Sequence, residues 1–318
     1  MIKLRKKSIF TLLAIFLALV LAGCNSTSSS TSGAASDSKE ETLTIEHELG
    51  ETVVPKNPEK VVVFDFGVLD TLDTFGVEVT GLPKESIPAY LYKYEDDQYE
   101  NVGSLKEPDF EKIDEIAPDL IIISGRQSAL YEQLSEIAPT IYMAVDTENY
   151  MDSFKENVTL LSQIFGKEDV AEEKLAEVEK SIEDLNEKAA ANGGNALIVL
   201  ANDGKVSAYG QGSRFGLIHD VFGVTPVDET IESSTHGQSI SFEYIVEKDP
   251  DYLFVIDRGA VVGGESSAKQ VVENELVKMT KAYQNDHIIY LDPNYWYLSG
   301  GGLISVAEMV KQIEEAIQ

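Results

Sequence analysis

One pattern occurs twice at an equal offset and restricts what this chain can fold into. Phe110-Glu111-Lys112-Ile113 is followed by Ala117-Pro118-Asp119 and the apolar run Leu120-Ile121-Ile122. Phe242-Glu243-Tyr244-Ile245 is followed by Asp249-Pro250-Asp251 and by Tyr252-Leu253-Phe254. Phe and Pro stand eight residues apart in both copies, and the copies are separated by 132 residues. In each, a helix is expected to end ahead of Pro-Asp, because proline disfavours helical backbone in the residue before it. A buried strand comes next. Two such units predict duplicated topology, hence two lobes of similar design.

The rest of the chain agrees with that division. Strand-like runs at Val61–Phe64, Val77–Leu82, Leu120–Ile123 and Ile141–Val145 alternate with helix-like runs at Gly67–Phe75, Phe110–Ile116 and Ser128–Ile137. The alternation restarts at Ala196–Leu200 and closes with a helix near Leu303–Ile317. Short apolar runs between amphipathic helices predict the α/β class, with a parallel or mixed sheet covered on both faces. Between the halves, Asp169 to Ala190 carries apolar residues at 171, 175, 178, 182, 185 and 189, a stripe on one side of a helix. A rod of about 33 Å is expected there, ended by Asn192-Gly193-Gly194. A long helix inside a single domain is the other reading of this stretch. The expected organisation is a first lobe over 42–168, a connecting helix over 169–191 and a second lobe over 192–318, both lobes Rossmann-like.

The first segment reads as an address. Lys3, Arg5, Lys6 and Lys7 precede an apolar run from Ile9 to Val20 and then Leu21-Ala22-Gly23-Cys24. A basic head, a short apolar stretch and small residues ahead of a cut make a secretory signal. The run is too short to span a bilayer, which takes about 20 apolar residues. Cys24 is the chain's one cysteine. Leu-Ala-Gly-Cys resembles the bacterial lipobox, which implies cleavage ahead of Cys24 and lipid attachment to its thiol. The Ser/Thr-rich residues 25–41 cannot bury apolar area and are expected to tether the anchor to the folded body. The protein is then held on the extracytoplasmic face of the cell membrane.

Charge and composition exclude several functions. With 25 basic and 55 acidic side chains the net charge is −30, which repels nucleic acid and other polyanions. One cysteine excludes a disulfide framework and a cysteine zinc site. His47, His219, His236 and His287 show no metal-ligand spacing, which also disfavours a zinc or manganese receptor.

Against that acidity the arginines stand out. Beyond residue 24 there are three, Arg126, Arg214 and Arg258. Arg126 follows Leu120-Ile-Ile-Ile-Ser-Gly, Arg214 lies in Tyr209-Gly-Gln-Gly-Ser-Arg-Phe, and Arg258 follows Leu253-Phe-Val-Ile-Asp. Each is expected beyond the carboxyl end of a strand or at the helix start after it, where α/β folds place their ligands. Arginine suits the gripping of anionic oxygens and stacking on rings. Three converging guanidiniums would make a positive focus for an anion, and separate surface salt bridges are the alternative.

Taken together, lipobox, tether, lobe, Glu-rich helix and lobe resemble the iron-siderophore class of ABC-importer binding proteins over nearly the whole mature chain. The resemblance implies a ligand cleft between the lobes, a connecting helix that limits hinge motion, and capture and delivery without catalysis. It also implies a monomer with no cofactor of its own, the ferric siderophore being cargo. One surface glutamate per lobe would dock on the permease and, through it, reach the ATPase. By motif position these are Glu111 and Glu243, which by residue type alone could equally be solvated helix acids. Within the class the chain resembles the catecholate branch of petrobactin-binding lipoproteins. There an arginine triad surrounds the iron complex, and a histidine and a tyrosine can fill iron positions that the chelator leaves open. The match falls on His236, in Ser233-Ser-Thr-His-Gly-Gln-Ser, and Tyr297, in Asn294-Tyr-Trp-Tyr-Leu-Ser-Gly. Imidazole and phenolate are sensible ferric ligands.

Three further candidates come from the residues themselves. Trp296, the one tryptophan, suits stacking on catechol rings or burial as a loop anchor. Lys84, after a strand of the first lobe, is a fourth candidate cation or a solvated lysine. Tyr209 belongs to the same rim as Arg214.

Other functions fit less well. Gly210-x-Gly212 is followed by Gly216, one residue too late for a dinucleotide fingerprint. A surface-anchored hydrolase lacks a Gly-x-Ser-x-Gly elbow. A haem or cobalamin carrier of the same fold stays open, and absorbance separates it from a ferric catecholate.

Overall fold

Each strand–helix alternation closes into its own sheet. The computed structural model describes residues 41–317; the signal segment, Cys24 and nearly all of the tether lie outside the described residues, as does Gln318. The body begins with an antiparallel hairpin of β1 (Thr42–His47) and β2 (Gly50–Pro55). Only Ile45 and Val54 of this polar ribbon are buried, which is why no apolar run announces it.

In the first lobe β3 (Val61–Val63), β4 (Gly81–Leu82), β5 (Glu100–Asn101), β6 (Leu120–Ile123) and β7 (Thr140–Tyr142) run parallel, in the spatial order β5-β4-β3-β6-β7. The order reverses between β3 and β6, where open α/β sheets leave a crevice. The strand expected over Val77–Leu82 contributes only its last two residues. Gly76 takes a left-handed φ of 65°, and the Val77 N–H bonds back to Leu72 O at 2.9 Å.

In the second lobe β8 (Asn195–Asn202), β9 (Lys205–Tyr209), β10 (Thr225–Pro226), β11 (Gln238–Ile240), β12 (Tyr252–Asp257) and β13 (Ile288–Leu291) form a mixed sheet. Its order is β11-β9-β8-β12-β13, with β10 also on β8; β9 is antiparallel to both neighbours. Asp203 and Gly204, both at positive φ, make the tight β8–β9 turn.

The repeated motif proves to be a repeated structure. Helices Phe110–Ile116 and Phe242–Lys248 are capped by Asp109 and Ser241. Both leave through a left-handed residue, Ala117 (φ 49°) and Asp249 (φ 44°), directly ahead of proline. Asp119 then accepts from the N–H groups of Glu59 and Lys60 (2.9 and 2.8 Å), and Asp251 exchanges bonds with Asn195 (3.1 and 3.0 Å). In each lobe the Pro-Asp carboxylate ties the motif to the entry of the first central strand, β3 or β8.

Alternation along the strands divides the core. Val61, Val63, Leu120 and Ile122 join Ile198, Leu200, Phe254 and Ile256 in one cluster that runs through both lobes. Val62, Ile121 and Ile123 pack on the far face of the first sheet, and Leu197, Val199, Leu253 and Val255 on the far face of the second. The shared cluster includes the connecting helix, Glu168–Asn192, with Ala171, Val178, Ile182, Leu185 and Ala189 buried. Gly193 ends it at φ 68°. At 1.5 Å per residue its 25 residues span about 37 Å.

The closing helix, Leu303–Ala316, joins both lobes. It packs on the connecting helix and on helix Phe66–Thr74 of the first lobe, while its Gln312 accepts from Asp292 N of the second at 2.9 Å. Asp70, fully buried on the first-lobe helix, accepts from Ile304 N (3.2 Å), Ser305 N (3.0 Å) and the Tyr90 hydroxyl (3.0 Å).

Candidate functional site

Arg126 lies three residues past β6, beside the strand-order reversal. The buried Gln127 fixes its turn by accepting from Ser124 N (3.2 Å) through the side chain and donating its own N–H to Ser124 O (3.0 Å). Arg258 directly follows β12, with its backbone N–H on Ala201 O at 3.2 Å. Both positions are as the carboxyl-end rule requires.

Arg214 is different. Because β9 is antiparallel, its carboxyl end points the opposite way from those of β8 and β12, and Arg214 lies instead just ahead of the short helix Leu217–Asp220. The turn around it is tight: a side chain on Gly210 would come within 2.7 Å of Ile231 O, and one on Gly216 within 2.8 Å of Gly210 O. The glycines that mimic a dinucleotide fingerprint are therefore needed for close backbone packing.

The three guanidiniums meet at Tyr297. Arg126 Nη2 donates to Tyr297 O at 3.1 Å and Arg214 Nη2 to the same oxygen at 2.6 Å. Arg258 Nε donates to the Tyr297 hydroxyl at 2.9 Å, and its Nη1 to Asn202 Oδ1 at 2.9 Å. The Arg214 guanidinium also stacks on the Tyr297 ring, 4.3 Å from its centre. Tyr297 sits in a wide helical turn, Asn294–Ser299. Asp292 fixes that turn by accepting from the N–H groups of Asn294, Tyr295 and Trp296 (2.9, 3.1 and 3.1 Å).

This arrangement has electrostatic consequences. Burial and then the charge of Arg126 hold the Arg214 guanidinium below its ordinary pKa. Burial disfavours ionisation of the Tyr297 phenol, but the Arg258 hydrogen bond and the charges of Arg214 and Arg258 outweigh it, so its pKa falls below the usual value. Two like charges share one neutral acceptor, which leaves both under-compensated. An anion placed before them would relieve that repulsion.

A cavity of about 610 Å³ opens in front of this cluster, lined by Lys106, Arg126, Arg214, His236, Trp296 and Tyr297 among others. Arg126 and Lys106 come from the first lobe, and Arg214, His236 and Tyr297 from the second. On the cavity wall the Thr147 hydroxyl of the first lobe donates to Gly212 O of the second at 3.0 Å.

The remaining candidates divide. His236 is exposed and on the cavity wall. Trp296 lines the cavity yet is 2% exposed. Its indole donates to Gln312 Oε1 at 3.3 Å and meets Phe222 edge-on, so anchoring the turn is its evident task. Tyr209 is buried behind the wall against Phe215, and burial pushes its phenol up to about 12 despite the nearby Arg214 charge. Arg258 likewise acts from behind, through Tyr297. Lys84 is not among the lining residues; its ammonium donates to the backbone oxygens of Glu95 and Asp96 (3.1 and 2.8 Å). The first-lobe lysine that does reach the cavity is Lys106, past β5. A two-residue strand leaves no periodicity to read, so its carboxyl end could not be located in advance. Glu111 and Glu243 are exposed in the first turns of the two matched helices, outside the cavity lining.

Comparison with known proteins gives a consistent picture. The family model described as periplasmic binding protein matches residues 61–295. The petrobactin-binding protein YclQ of Bacillus subtilis is 53% identical over 317 residues, covering 98% of this chain and 99% of that one. Its crystal structure superposes with a TM-score of 0.86 over 88% of this chain and 99% of that chain, at 55% identity. The ferric-anguibactin-binding protein FatB of Vibrio anguillarum is 34% identical over 282 residues, 87% of this chain and 88% of that one. The catecholate-siderophore binding protein VctP of Vibrio cholerae superposes with a TM-score of 0.82 at 39% identity, over 86% of this chain and all of that one (100%).

Proposed function

The chain belongs to the periplasmic binding protein family, and from that membership we propose that it captures an anionic ferric siderophore of the catecholate, petrobactin-like kind. It then hands this cargo to the permease of an ABC importer on the extracytoplasmic face of the membrane. The observation that carries the reading is the meeting of Arg126, Arg214 and Arg258, drawn from both lobes, at Tyr297 on the cavity wall. The relatives named for petrobactin, ferric anguibactin and catecholate siderophores support it.

The chemistry of the cavity agrees. A ferric catecholate spreads negative charge over several oxygens, which planar guanidinium forks match and a net charge of −30 would otherwise repel. Iron is expected to arrive inside its chelator, with His236 and the acidified Tyr297 phenol available to complete an unsaturated complex. The exposed pair Glu111 and Glu243 docks on the permease, and Cys24 carries the lipid that keeps the monomer at the membrane.

The test uses Trp296, the one tryptophan and part of the cavity wall. Its emission is titrated with ferric complexes of catecholate, hydroxamate and citrate chelators and with haem. Quenching at the lowest concentrations by the ferric catecholate, with its broad visible charge-transfer band, is the expected result. Binding by haem alone, read from a Soret band, would replace the siderophore reading by a haem carrier.

A further inference from the structure

The turn that carries Tyr297 belongs to the second lobe by chain order, yet the first lobe holds it at both ends. At its start, Ala89 N donates to Asn294 Oδ1 at 3.0 Å, and the Tyr90 ring packs on Tyr295 with centres 4.6 Å apart. At its end, the Tyr90 hydroxyl stands 2.7 Å from Ser299 Oγ and 3.0 Å from Asp70 Oδ2. A phenol has one proton to give, so Tyr90 donates to one of these partners and accepts from the other. Ser299, Tyr90 and Asp70 are therefore one hydrogen-bond chain. Its far end is immobile, because Asp70 is fully buried on helix Phe66–Thr74 and is also bonded to Ile304 N and Ser305 N. Just past the turn, the Tyr150 hydroxyl donates to Gly300 O at 3.3 Å and Leu303 N to Thr71 Oγ1 at 3.2 Å. Ser299 is among the cavity-lining residues, whereas Tyr90 and Asp70 are not. Tyr297 offers its backbone oxygen to two guanidiniums and its hydroxyl to a third, which requires a turn held in one orientation.

From these contacts we infer that Asp70, Tyr90 and Ser299 are positioning residues of the cleft. The chain through them pins the Tyr297 turn to the first lobe and keeps it in its receiving form before cargo arrives. Ordering the turn is then done by the fold and is not drawn from the binding energy. This goes beyond the siderophore reading and rests on it. A turn that adopts the receiving form only part of the time lowers apparent affinity by that fraction. Bound cargo holds the turn itself, so the loss falls on association and leaves dissociation alone.

The test is stopped-flow quenching of Trp296 by a ferric bis-catecholamide complex. Tyr90→Phe keeps the ring on Tyr295 and removes only the hydroxyl. It should slow association about tenfold, near the worth of one buried hydrogen bond, with the dissociation rate unchanged. Ser299→Ala breaks the chain at its other end and should act alike. The double variant should be no slower than the slower single one, because both remove the same link. Protein lost to misfolding lowers the quenching amplitude and leaves the rate constant readable. Association at the wild-type rate in both single variants overturns the inference while the siderophore reading stands. So does a loss carried by faster dissociation, which would make these side chains direct cargo contacts, or a fully additive loss in the double variant. If the complex does not quench the wild-type protein, the siderophore reading falls and takes this inference with it.

Discussion

Arg214 grips Tyr297 twice, its guanidinium 4.3 Å from the ring centre and its Nη2 2.6 Å from the backbone oxygen. Arg126 reaches that same oxygen from the other lobe. Replacing Arg214 or Arg258 with Ala should weaken binding of a ferric catecholate by about 1–3 kcal/mol each, the range for a lost charged hydrogen bond. Arg214→Lys should not restore it, because an ammonium cannot stack and donate as the planar fork does. Quenching of Trp296 reads both, and unchanged affinity in both alanine variants would count against the cleft.

The Tyr297 phenol should titrate ahead of its neighbours. Tyr90, Tyr94 and Tyr209 are all raised by burial, whereas Tyr297 is lowered by its arginines against the effect of burial. A spectrophotometric titration of tyrosinate should show one early step that disappears in Tyr297→Phe and moves to higher pH in Arg258→Ala. An early step that persists in Tyr297→Phe belongs to another residue.

Asp70 sets a pH dependence of stability. Complete burial, opposed by hydrogen bonds from Ser305, Tyr90 and Ile304, pushes its carboxyl up from 3.8 to about 7. The folded state therefore holds a proton that the unfolded chain has released. Its stabilising contribution is full below the unfolded pKa and fades as pH rises toward about 7, by on the order of a few kcal/mol. Asp70→Asn cannot titrate. The melting temperature of the wild-type protein relative to this variant should fall between about pH 4 and about pH 7 and level off above that; a constant difference would refute the assignment.

Gly302 is where the closing helix meets the first lobe. A Cβ there would collide with the Asp70 carboxyl and with Gly67 O, both held in place by packing. Gly302→Ala should cost about 1–3 kcal/mol, the range for overpacking a tight interior, measured by denaturant unfolding. Gly300, at φ 58° with nothing closer than 3.5 Å to its ideal Cβ, is a control for which the space is free and only the backbone is strained.

The exposed Glu111 and Glu243 occupy equivalent first turns of the two matched helices. The double variant Glu111→Ala, Glu243→Ala should bind cargo as the wild-type protein does and slow iron uptake by cells. Uptake at the wild-type rate would remove these residues from the docking surface.

Local chemistry made much of this molecule readable in its sequence. The connecting helix announces itself by periodicity, the matched helices by their offset from Pro-Asp, and the arginines by their scarcity in an acidic chain. The tertiary structure alone decided which of these groups meet. Tyr297 lies 171, 83 and 39 residues from Arg126, Arg214 and Arg258, and no local pattern encodes such separations. It also exchanged Lys84 for Lys106, because sheet pairing places the residues after a two-residue strand. It tied the start of the last helix to the first lobe, where Asp70 accepts from Ser305 N across 235 residues. Propensity and hydrophobic period act over a few residues, whereas a binding cleft is built by contacts that only the packed chain brings together.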